Sequence, residues 1–487
     1  MAQMYESREM AEFIEKWLGN PLTRHTLRFL TGRCIRDGRR AENILKMYAT
    51  GKPQNLCSKC NLAAFIIKNM LDRLIAQTKL EKKHIKTHLM DSMWRKGLAS
   101  VLEGIAEYGV QKPFTGYSPF LIVWNVTKAC NLKCKHCYEV AAKPAADELT
   151  TQEALNAVDE LADAGIAYIA ISGGEPFVRK DLFKIAKRIR ERGMAFSIAT
   201  NATMLTKENV RKLKDHDCLF VQISLDGATA ETHNWFRGLN VFEKTIEGIK
   251  NAVAEGMSVG ISTTITQHNY NEVPKIVDLA EKLGVGTFMN YNFIPTGRGE
   301  DIVNLDLSPE QRENLLKYLA KRTKKSKMRI LSTAPQYSRV CIENDAATLA
   351  MTHFDNSSPE MMKSVKFLSE FIGGCGAARL YCAMEPNGDI KPCVFIPIKL
   401  GNIKDDDFLE VWNHSEPLKK MRDRKKFSGN CGVCEHRNIC GGCRARAYAY
   451  FHDLQAPDPG CIKNKKYYEK LITPVEHPAH RPSKGKA

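Results

Sequence analysis

The segment from Thr127 to Tyr138, which reads T-K-A-C-N-L-K-C-K-H-C-Y, constrains this chain more than any other. Its three cysteines follow directly on residues 120–126, an apolar run rich in β-branched and aromatic residues that predicts a strand. Three thiolates therefore leave from one short loop at the end of a strand. An iron–sulfur cluster normally takes four cysteines, so a cluster on Cys130, Cys134 and Cys137 would leave one iron free for another ligand.

A second signal follows the next predicted strand. Residues 168–172 lead directly into Gly173, Gly174, Glu175 and Pro176. Two glycines allow the backbone to approach a ligand closely, and the glutamate carboxylate can accept hydrogen bonds from an ammonium group. Two other interpretations stay open, an ordinary tight turn with an acid beside it and a structural zinc site, which needs a fourth ligand near the three cysteines.

Together, the C-x3-C-x2-C spacing and the G-G-E-P run resemble the signature of the radical S-adenosylmethionine (SAM) superfamily. The resemblance implies that Cys130, Cys134 and Cys137 hold a 4Fe–4S cluster whose open iron binds the amino and carboxylate groups of SAM. It implies an enzyme that is reduced by a donor of the ferredoxin or flavodoxin type. SAM then splits to methionine and a 5′-deoxyadenosyl radical, which abstracts hydrogen from a substrate.

Short apolar strands alternate with amphipathic helices over residues 116–304. This alternation indicates parallel βαβ units with right-handed crossovers, whose ligands gather at the carboxyl ends of the strands. We therefore predict an α/β fold, which the resemblance specifies as a partial (β/α)6 TIM-type barrel. The six predicted strands cover residues 120–126, 168–172, 196–200, 219–224, 259–264 and 287–292.

Two further strand ends resemble SAM contacts of the same superfamily. Asn201 stands in a T-N-A run where many relatives have T-N-G, and Ser224 and Asp226 stand in an S-L-D-G run that resembles the S-x-D-G turn near the SAM ribose or carboxylate. Hydroxyl and carboxylate groups suit ribose hydroxyls, although ordinary turn caps carry the same residues. Arg237 either holds a carboxylate or is a solvated surface residue.

Residues 371–465 contain eight further cysteines. The run P-N-G-D at 386–389 predicts a hairpin, which places Cys382 and Cys393 on or beside neighbouring strands within reach of one metal centre. A C-x2-C-x5-C-x2-C run follows, and one or two zinc ribbons are the alternative to clusters. The eight cysteines are Cys375, Cys382, Cys393, Cys431, Cys434, Cys440, Cys443 and Cys461.

This cysteine-rich segment resembles the SPASM domain, a C-terminal extension of many radical SAM enzymes that carries auxiliary 4Fe–4S clusters. The resemblance implies two auxiliary clusters in an interleaved arrangement. One would be held by Cys375, Cys382, Cys393 and Cys443, and the other by Cys431, Cys434, Cys440 and Cys461. Clusters with four cysteines have no open iron, so they suit electron transfer better than substrate binding.

The other parts of the chain carry weaker signals. Residues 1–115 have apolar positions at helical spacing, for example at 62–80 and 90–108, and predict a helical domain of unknown role. Their cysteines, Cys34, Cys57 and Cys60, include a C-x2-C pair that is a redox pair, half a metal site, or two residues at a helix start without a chemical role. Residues 305–370 predict a helix-rich bridge, and residues 466–487 a basic, disordered tail.

Composition narrows the remaining possibilities. Sixteen cysteines without an export signal favour metal ligation over disulfides, and no apolar run reaches membrane-spanning length, so we expect a cytoplasmic protein without a membrane partner. The formal net charge is +17, and three clusters would lower it by roughly five to about +12. A solvated basic surface with a basic tail accounts for this charge equally well as an acidic substrate or partner. No zinc-finger, RRM or KH pattern predicts a nucleic-acid partner.

The substrate is predicted by resemblance alone. The segments around Cys375 and Cys443 look most like SPASM enzymes of haem and haem d1 biosynthesis, which alter side chains on iron tetrapyrroles. Arg379, Arg444 and Arg446 are candidates for binding the carboxylates of such a substrate, or for structural pairing beside the clusters. The alternatives are a maturase that modifies a peptide or protein side chain, and a non-enzymatic electron carrier.

Overall fold

The computed structural model describes residues 15–16, 18–35, 38–51, 55–78, 82–346 and 369–472. Its centre is one ten-stranded sheet in the order β12-β11-β10-β3-β4-β5-β6-β7-β8-β9. All neighbouring strands from β10 to β9 in that order pair in parallel, whereas β10, β11 and β12 pair antiparallel. The strands are β3 (Leu121–Asn125), β4 (Tyr168–Ser172), β5 (Ala195–Thr200), β6 (Phe220–Ser224), β7 (Val259–Ile265), β8 (Thr287–Asn292), β9 (Arg329–Ser332), β10 (Tyr381–Met384), β11 (Asp389–Lys391) and β12 (Gly401–Asn402).

The six predicted strands are therefore confirmed, as β3 to β8. Two more parallel strands flank these six: β10, which belongs to the hairpin predicted at 386–389, pairs with β3, and β9, which no sequence pattern predicted, pairs with β8. β9 lies inside the segment predicted as a helix-rich bridge, of which residues 347–368 lie outside the described residues. At four residues, β9 is too short to show a periodicity of its own in the sequence.

Helices connect the parallel strands, as the βαβ pattern predicts. The first begins at a capping box in which the Thr150 hydroxyl accepts a hydrogen bond from the Glu153 amide, and it ends at Gly165, whose φ of +91° favours glycine. Its apolar face packs on the sheet in a large buried core. The helices of this region are α6 (Thr151–Ala164), α7 (Leu182–Glu191), α8 (Lys207–Asp215), α9 (Ala230–Arg237), α10 (Phe242–Ala254), α11 (Val273–Lys282), α12 (Pro309–Thr323) and α13 (Gln336–Glu343).

The N-terminal region is helical, as predicted, with one addition. A short hairpin of β1 (Arg33–Cys34) and β2 (Gly38–Arg39) interrupts the helices. The helices pack around two small apolar cores of their own. They are α1 (Pro21–Thr31), α2 (Arg40–Thr50), α3 (Ser58–Thr78), α4 (Lys82–Met90) and α5 (Ser92–Tyr108).

The C-terminal region contains the predicted hairpin, since β10 and β11 pair antiparallel with Met384 opposite Ile390. Short helices follow it. The predicted disordered tail is wrong at its start, because residues 466–472 are helical, and residues 473–487 lie outside the described residues. The helix α14 (Ser369–Ile372) precedes the hairpin, and the helices that follow it are α15 (Phe408–His414), α16 (Glu416–Arg422), α17 (Gly429–Val433), α18 (Arg444–Phe451) and α19 (Lys465–Ile472). Within the described residues, no helix is both long and apolar enough to cross a membrane.

Candidate active site

The loop that carries Cys130, Cys134 and Cys137 leaves the carboxyl end of β3 and is fixed by loops from three other strands. The Gly174 amide after β4 donates to the Thr127 carbonyl at 2.7 Å, and the Asn201 side chain after β5 donates to the Asn131 side chain at 2.8 Å. The Arg298 amide after β8 donates to the Cys137 carbonyl at 3.0 Å. Parallel strand ends therefore converge on the cysteines, as expected for this topology.

Glycines at these junctions are required by close backbone approach. A Cβ atom on Gly174 would lie 2.1 Å from the Ala129 carbonyl oxygen, and one on Gly173 would lie 2.6 Å from the Thr127 carbonyl oxygen. Gly297 has a φ of +58°, and its Cβ would lie 2.7 Å from the Cys137 carbonyl oxygen. The G-G pair therefore packs against the cysteine loop itself, in addition to facing the cavity.

Two of the three cysteine thiols have a hydrogen-bond donor beside the sulfur. Burial raises the pKa of the Cys130 thiol to about 11, and it also raises the pKa of Cys134, where Arg237 opposes the rise. The Arg237 guanidinium donates to the Cys134 sulfur at 3.6 Å, and the Leu132 amide donates to the Cys130 sulfur at 3.4 Å. Without a metal, burial therefore favours the protonated thiols, and Arg237 and the Leu132 amide are the groups that would stabilise the thiolates when a metal binds.

Asp226 acts from behind the cavity wall. Its carboxylate is fully buried, pairs with Arg237 at 2.6 Å and lies 3.6 Å from the His136 imidazole. Burial raises the pKa of Asp226, but the charge of the Arg237 guanidinium opposes it and the net shift is downward, so the carboxyl group is ionised at pH 7. Asp226 was predicted as a SAM contact; the structure instead places it beneath Arg237, outside the residues that line the cavity.

Glu175 is also buried rather than exposed to the cavity. Its carboxylate accepts from the Thr200 hydroxyl at 2.8 Å and from the Asn201 amide at 2.9 Å. Burial raises its pKa to about 7, and these two hydrogen bonds oppose the rise. Glu175 therefore joins the loop after β4 to the end of β5. Pro176 continues this loop as the first residue of a 3-10 turn and is buried as well.

Ala202, which stands where many relatives have the glycine of T-N-G, has a φ of +64°. This left-handed conformation costs an alanine more free energy than a glycine. Its amide donates to the Thr200 hydroxyl at 3.0 Å, and the Asn201 side chain accepts from the Thr203 amide at 2.9 Å. These hydrogen bonds hold the turn without glycine. Asn201 keeps its predicted position beside the cysteine loop.

A cavity of about 1200 Å³, including its part open to solvent, lies over the cysteines. Its wall contains the predicted Gly173, Gly174, Asn201 and Ser224, together with polar strand residues and apolar groups. In the described part of the chain, two arginines and no carboxylate line it. The apolar and aromatic lining residues are Val123, Leu132, Tyr138, Ala141, Ala170, Ala199, Tyr291, Phe293, Ile294, Val394 and Phe395, and the arginines are Arg237 and Arg298.

The donor set fits a three-cysteine cluster better than a zinc ion. A single tetrahedral ion would bring its ligand atoms to about 3.8 Å from one another. Among the described residues, no group of three or more His, Cys, Asp or Glu ligand atoms at this loop converges within 4.8 Å. The structural zinc interpretation of Cys130, Cys134 and Cys137 therefore has no fourth ligand and no compact site.

Comparison with known proteins decides the family. The radical SAM superfamily model matches residues 124–280, and the model of SPASM, an iron–sulfur cluster-binding domain, matches residues 375–441. The AdoMet-dependent heme synthase of Methanosarcina barkeri is 35% identical over 71% of this chain and 97% of its own length. The chain belongs to the radical SAM superfamily. It is an enzyme of the radical SAM type with 4Fe–4S clusters and SAM as cofactors.

Relatives of this chain also include proteins whose names indicate a peptide substrate or product. The mycofactocin maturase of Mycobacterium tuberculosis is 30% identical over 71% of this chain and 83% of its own length. The crystal structure of Streptococcus suis SuiB bound to its precursor peptide SuiA has a TM-score of 0.61, is 17% identical, and covers 87% of this chain and 92% of SuiB. At that identity SuiB shows the shared fold alone.

In the SPASM region, four cysteines come together as predicted. Cys431, Cys434, Cys440 and Cys461 line a small cavity with Arg339, Arg437 and Lys463 around it. The Arg444 side chain donates to the Cys431 sulfur at 3.7 Å, and the Gly442 amide donates to the Cys440 sulfur at 3.3 Å. This set agrees with one predicted auxiliary cluster.

The second predicted set is only partly brought together. The charges of Cys393, Cys375 and Cys443 all act on buried Tyr381, whose hydroxyl lies 2.8 Å from the Cys393 sulfur. Cys382 is the next residue on β10, so its side chain points to the opposite face of the sheet, and the neighbouring charge there is Arg422. The hairpin prediction is confirmed, but the structure does not bring Cys382 to the other three.

The arginines proposed to bind substrate carboxylates have structural partners instead. Arg446 is fully buried and binds Asp306, Asn292 and the Phe293 carbonyl. Arg379 and Arg444 are buried and donate chiefly to carbonyl groups of their own region; the acceptors are Phe114, Ile372 and Cys375 for Arg379, and Leu454 and Ala456 for Arg444. The substrate role of these three side chains is therefore wrong.

Sequence reasoning missed His136 and Arg298. His136 lines the cavity between two of the cysteines, and burial lowers its pKa to about 4, so it is neutral at pH 7. Arg298 lines the cavity while its guanidinium donates to the Cys134 carbonyl at 2.8 Å and the Ala141 carbonyl at 3.0 Å. Its position in the loop after the sixth predicted strand was the signal that could have identified it.

Proposed function

We propose that this radical SAM enzyme acts on an acidic iron tetrapyrrole, removing or altering its carboxylate side chains. The observation that carries the proposal is the 35% identity to the AdoMet-dependent heme synthase of Methanosarcina barkeri over 71% of this chain. The aromatic and aliphatic lining of the cavity suits a flat apolar macrocycle. The heme synthase and the Fe-coproporphyrin III synthase of Methanosarcina barkeri, at 35% and 32% identity, support the same substrate class.

The chain's own residues position the reacting groups. Cys130, Cys134 and Cys137 would hold the cluster, and Gly173, Gly174, Asn201 and Ser224, which line the same cavity, would border SAM. Glu175 and Asp226 hold the loops from behind. Bound together, the cluster and SAM supply a 5′-deoxyadenosyl radical that takes a hydrogen atom from a substrate carbon.

Oxidative decarboxylation of a propionate fits this arrangement. Loss of a hydrogen atom from the carbon next to the methylene that bears the carboxylate, followed by departure of CO2, leaves a vinyl group and releases one electron. We expect the auxiliary clusters that the SPASM cysteines would hold to accept that electron. We expect a ferredoxin- or flavodoxin-type protein to reduce the cluster that Cys130, Cys134 and Cys137 would hold.

The test is anaerobic incubation of the reconstituted enzyme with SAM, dithionite and Fe-coproporphyrin III, or with a didecarboxysirohaem. We expect substrate-stimulated 5′-deoxyadenosine and a product that has lost carboxyl groups. The methyl-ester form of the same porphyrin is the matched control, because it keeps the macrocycle and lacks the charges. Equal stimulation by the ester, or no stimulation by any tetrapyrrole, would remove this proposal.

A peptide or protein maturase is the second candidate. It is favoured by the 30% identity to the mycofactocin maturase. Against it, the heme synthase and the Fe-coproporphyrin III synthase of Methanosarcina barkeri are more similar to this chain, at 35% and 32% identity. A small precursor peptide that stimulates 5′-deoxyadenosine formation, where tetrapyrroles do not, would favour the maturase.

A further inference from the structure

Three cysteines of the N-terminal region converge at a point that neither family model includes. Cys34, Cys57 and Cys60 offer ligand atoms that all lie within 4.8 Å of one another, and both family models begin at residue 124 or later. The Cys34 and Cys57 sulfurs are 3.7 Å apart. Within the described residues, this is the group in which three or more His, Cys, Asp or Glu ligand atoms lie within 4.8 Å of one another.

Two local structures present these side chains. Cys34 lies on β1, one strand of the two-stranded hairpin, opposite Gly38. Cys57 directly precedes α3 and Cys60 lies in its first turn, where the Cys60 amide donates to the Cys57 sulfur at 3.4 Å. A C-x2-C pair at a helix start, facing a third cysteine on a hairpin, is an arrangement that gathers thiolates around one ion.

The spacing of the sulfurs distinguishes a single ion from a cluster. Zn–S bonds of about 2.3 Å in a tetrahedron place neighbouring sulfurs about 3.8 Å apart. In a 4Fe–4S cube each cysteine binds its own iron, so the sulfurs lie about 6 Å apart or more. The 3.7 Å separation of Cys34 and Cys57 agrees with the single ion. The cysteine loop after β3 does not form a group this compact.

We propose that Cys34, Cys57 and Cys60 bind one thiophilic divalent cation, zinc being the ion whose chemistry fits best. Cys60 is buried, while Cys34 and Cys57 are partly exposed, so solvent or an exchangeable ligand can complete the tetrahedron. The site extends the metal content of this radical SAM enzyme beyond its clusters and is independent of the substrate.

The position of the hairpin gives the ion a structural role. Arg33 donates to the Asp163 carbonyl at 2.8 Å, and Arg39 donates to the Gly165 carbonyl at 3.1 Å, both at the end of α6. Arg39 also pairs with Glu103 of α5. An ion that joins Cys34 to the start of α3 would therefore fix the N-terminal helices to the α/β region through this hairpin.

The experiment measures metal in full-length protein that is produced with zinc and iron and purified without oxygen. Elemental analysis should give about one zinc per chain, and zinc K-edge absorption should show about three sulfur neighbours near 2.3 Å. Because the zinc edge is element-specific, the clusters do not interfere. The variant C34S/C57S/C60S should lose the zinc and keep the wild-type iron content.

Two further variants keep the test decisive. Cys34→Ser changes only the hairpin and should lower zinc occupancy even if the triple variant fails to fold. Cys218 is a buried cysteine that belongs to none of the proposed cluster or zinc ligand sets, so Cys218→Ala should keep zinc at the wild-type level. Wild-type zinc content in the triple variant, extra iron in place of zinc, or a Cys34–Cys57 disulfide in protein that lacks zinc would each overturn the proposal. None of these readouts depends on a tetrapyrrole substrate.

Discussion

The Gly174 amide donates a 2.7 Å hydrogen bond to the Thr127 carbonyl, and this contact ties the loop after β4 to the loop that carries the cluster cysteines. The next amide, that of Glu175, donates to the Ala129 carbonyl at 2.8 Å. Two consecutive hydrogen bonds thus pair the G-G-E-P run with the three residues before Cys130. The position of the cluster depends on how closely these two loops approach.

Gly174→Ala is expected to displace the cysteine loop, because its Cβ would lie 2.1 Å from the Ala129 carbonyl oxygen. A displacement of about 1 Å at a reacting centre can lower the rate about 100-fold. We expect loss of this order in 5′-deoxyadenosine formation. Gly286→Ala is the control, since its Cβ would meet nothing closer than 3.8 Å and the position has no left-handed φ. Wild-type rates in Gly174→Ala would show that the two loops can separate without cost.

Cys393→Ala and Cys382→Ala should differ in iron content. Cys393 lies with Cys375 and Cys443 around Tyr381, whereas Cys382 faces Arg422 on the other side of β10. Three clusters correspond to about twelve irons per chain, so Cys393→Ala should retain about eight and Cys382→Ala about twelve. Iron analysis with Mössbauer spectra of anaerobic protein measures this. Loss of four irons from Cys382→Ala would restore the interleaved arrangement that the sequence implied.

Asp306→Asn should destabilise the protein without changing the affinity for substrate. Asp306 is buried and binds Arg312 at 2.7 Å, Tyr450 at 2.8 Å and Arg446, which joins β8 to α18. Removing one partner of a buried ion pair costs about 3–5 kcal/mol. The thermal unfolding midpoint should fall clearly, while KM for the substrate stays constant. Asp405→Asn, at an exposed carboxylate, is the control.

The pH dependence of the Asp306→Asn effect follows from the sign of the pKa shift. Burial raises the pKa of Asp306, but Arg446 and Arg312 lower it further than burial raises it. A carboxyl group whose pKa is lowered by folding stabilises the fold at every pH above its unfolded pKa of about 3.9. This stabilisation is lost only when the pH falls below that value. The difference between wild type and variant should therefore be constant from pH 8 to pH 5. A difference that disappears within this range would contradict the assigned ion pairs.

Glu175→Gln should show the opposite behaviour when SAM is absent. Burial raises the pKa of Glu175 to about 7, above the unfolded value of about 4.3. The stability that this carboxyl group contributes is complete below about pH 4.3 and is lost as the pH rises to about 7, at about 1.4 kcal/mol per unit. Wild type should lose stability over this interval relative to the glutamine variant. Parallel midpoints from pH 5 to pH 7 would show that Glu175 is ionised throughout; Glu300→Gln, at an exposed carboxylate, is the matched control.

Local sequence patterns were sufficient to predict the six strands from β3 to β8, the cysteine loop and the glycine pair. Each of these is a local pattern, because apolar periodicity, capping residues and cysteine spacing act over a few neighbouring residues. The hairpin at 386–389 was also predictable in this way. The set of Cys431, Cys434, Cys440 and Cys461 was implied by the resemblance to the SPASM domain and not by spacing alone.

The tertiary structure alone decided which distant residues meet. Cys382 points to one face of the sheet at β10, and Cys393 lies on the other side. No spacing rule predicts the pairing of β10 with β3. Arg446 binds Asp306, which lies 140 positions away in the sequence, so the sequence did not indicate this partner. Cys34 meets Cys57 and Cys60 because a hairpin folds back on a helix start. Contacts between segments far apart in sequence depend on the packing of the whole chain, and local patterns do not encode that packing residue by residue.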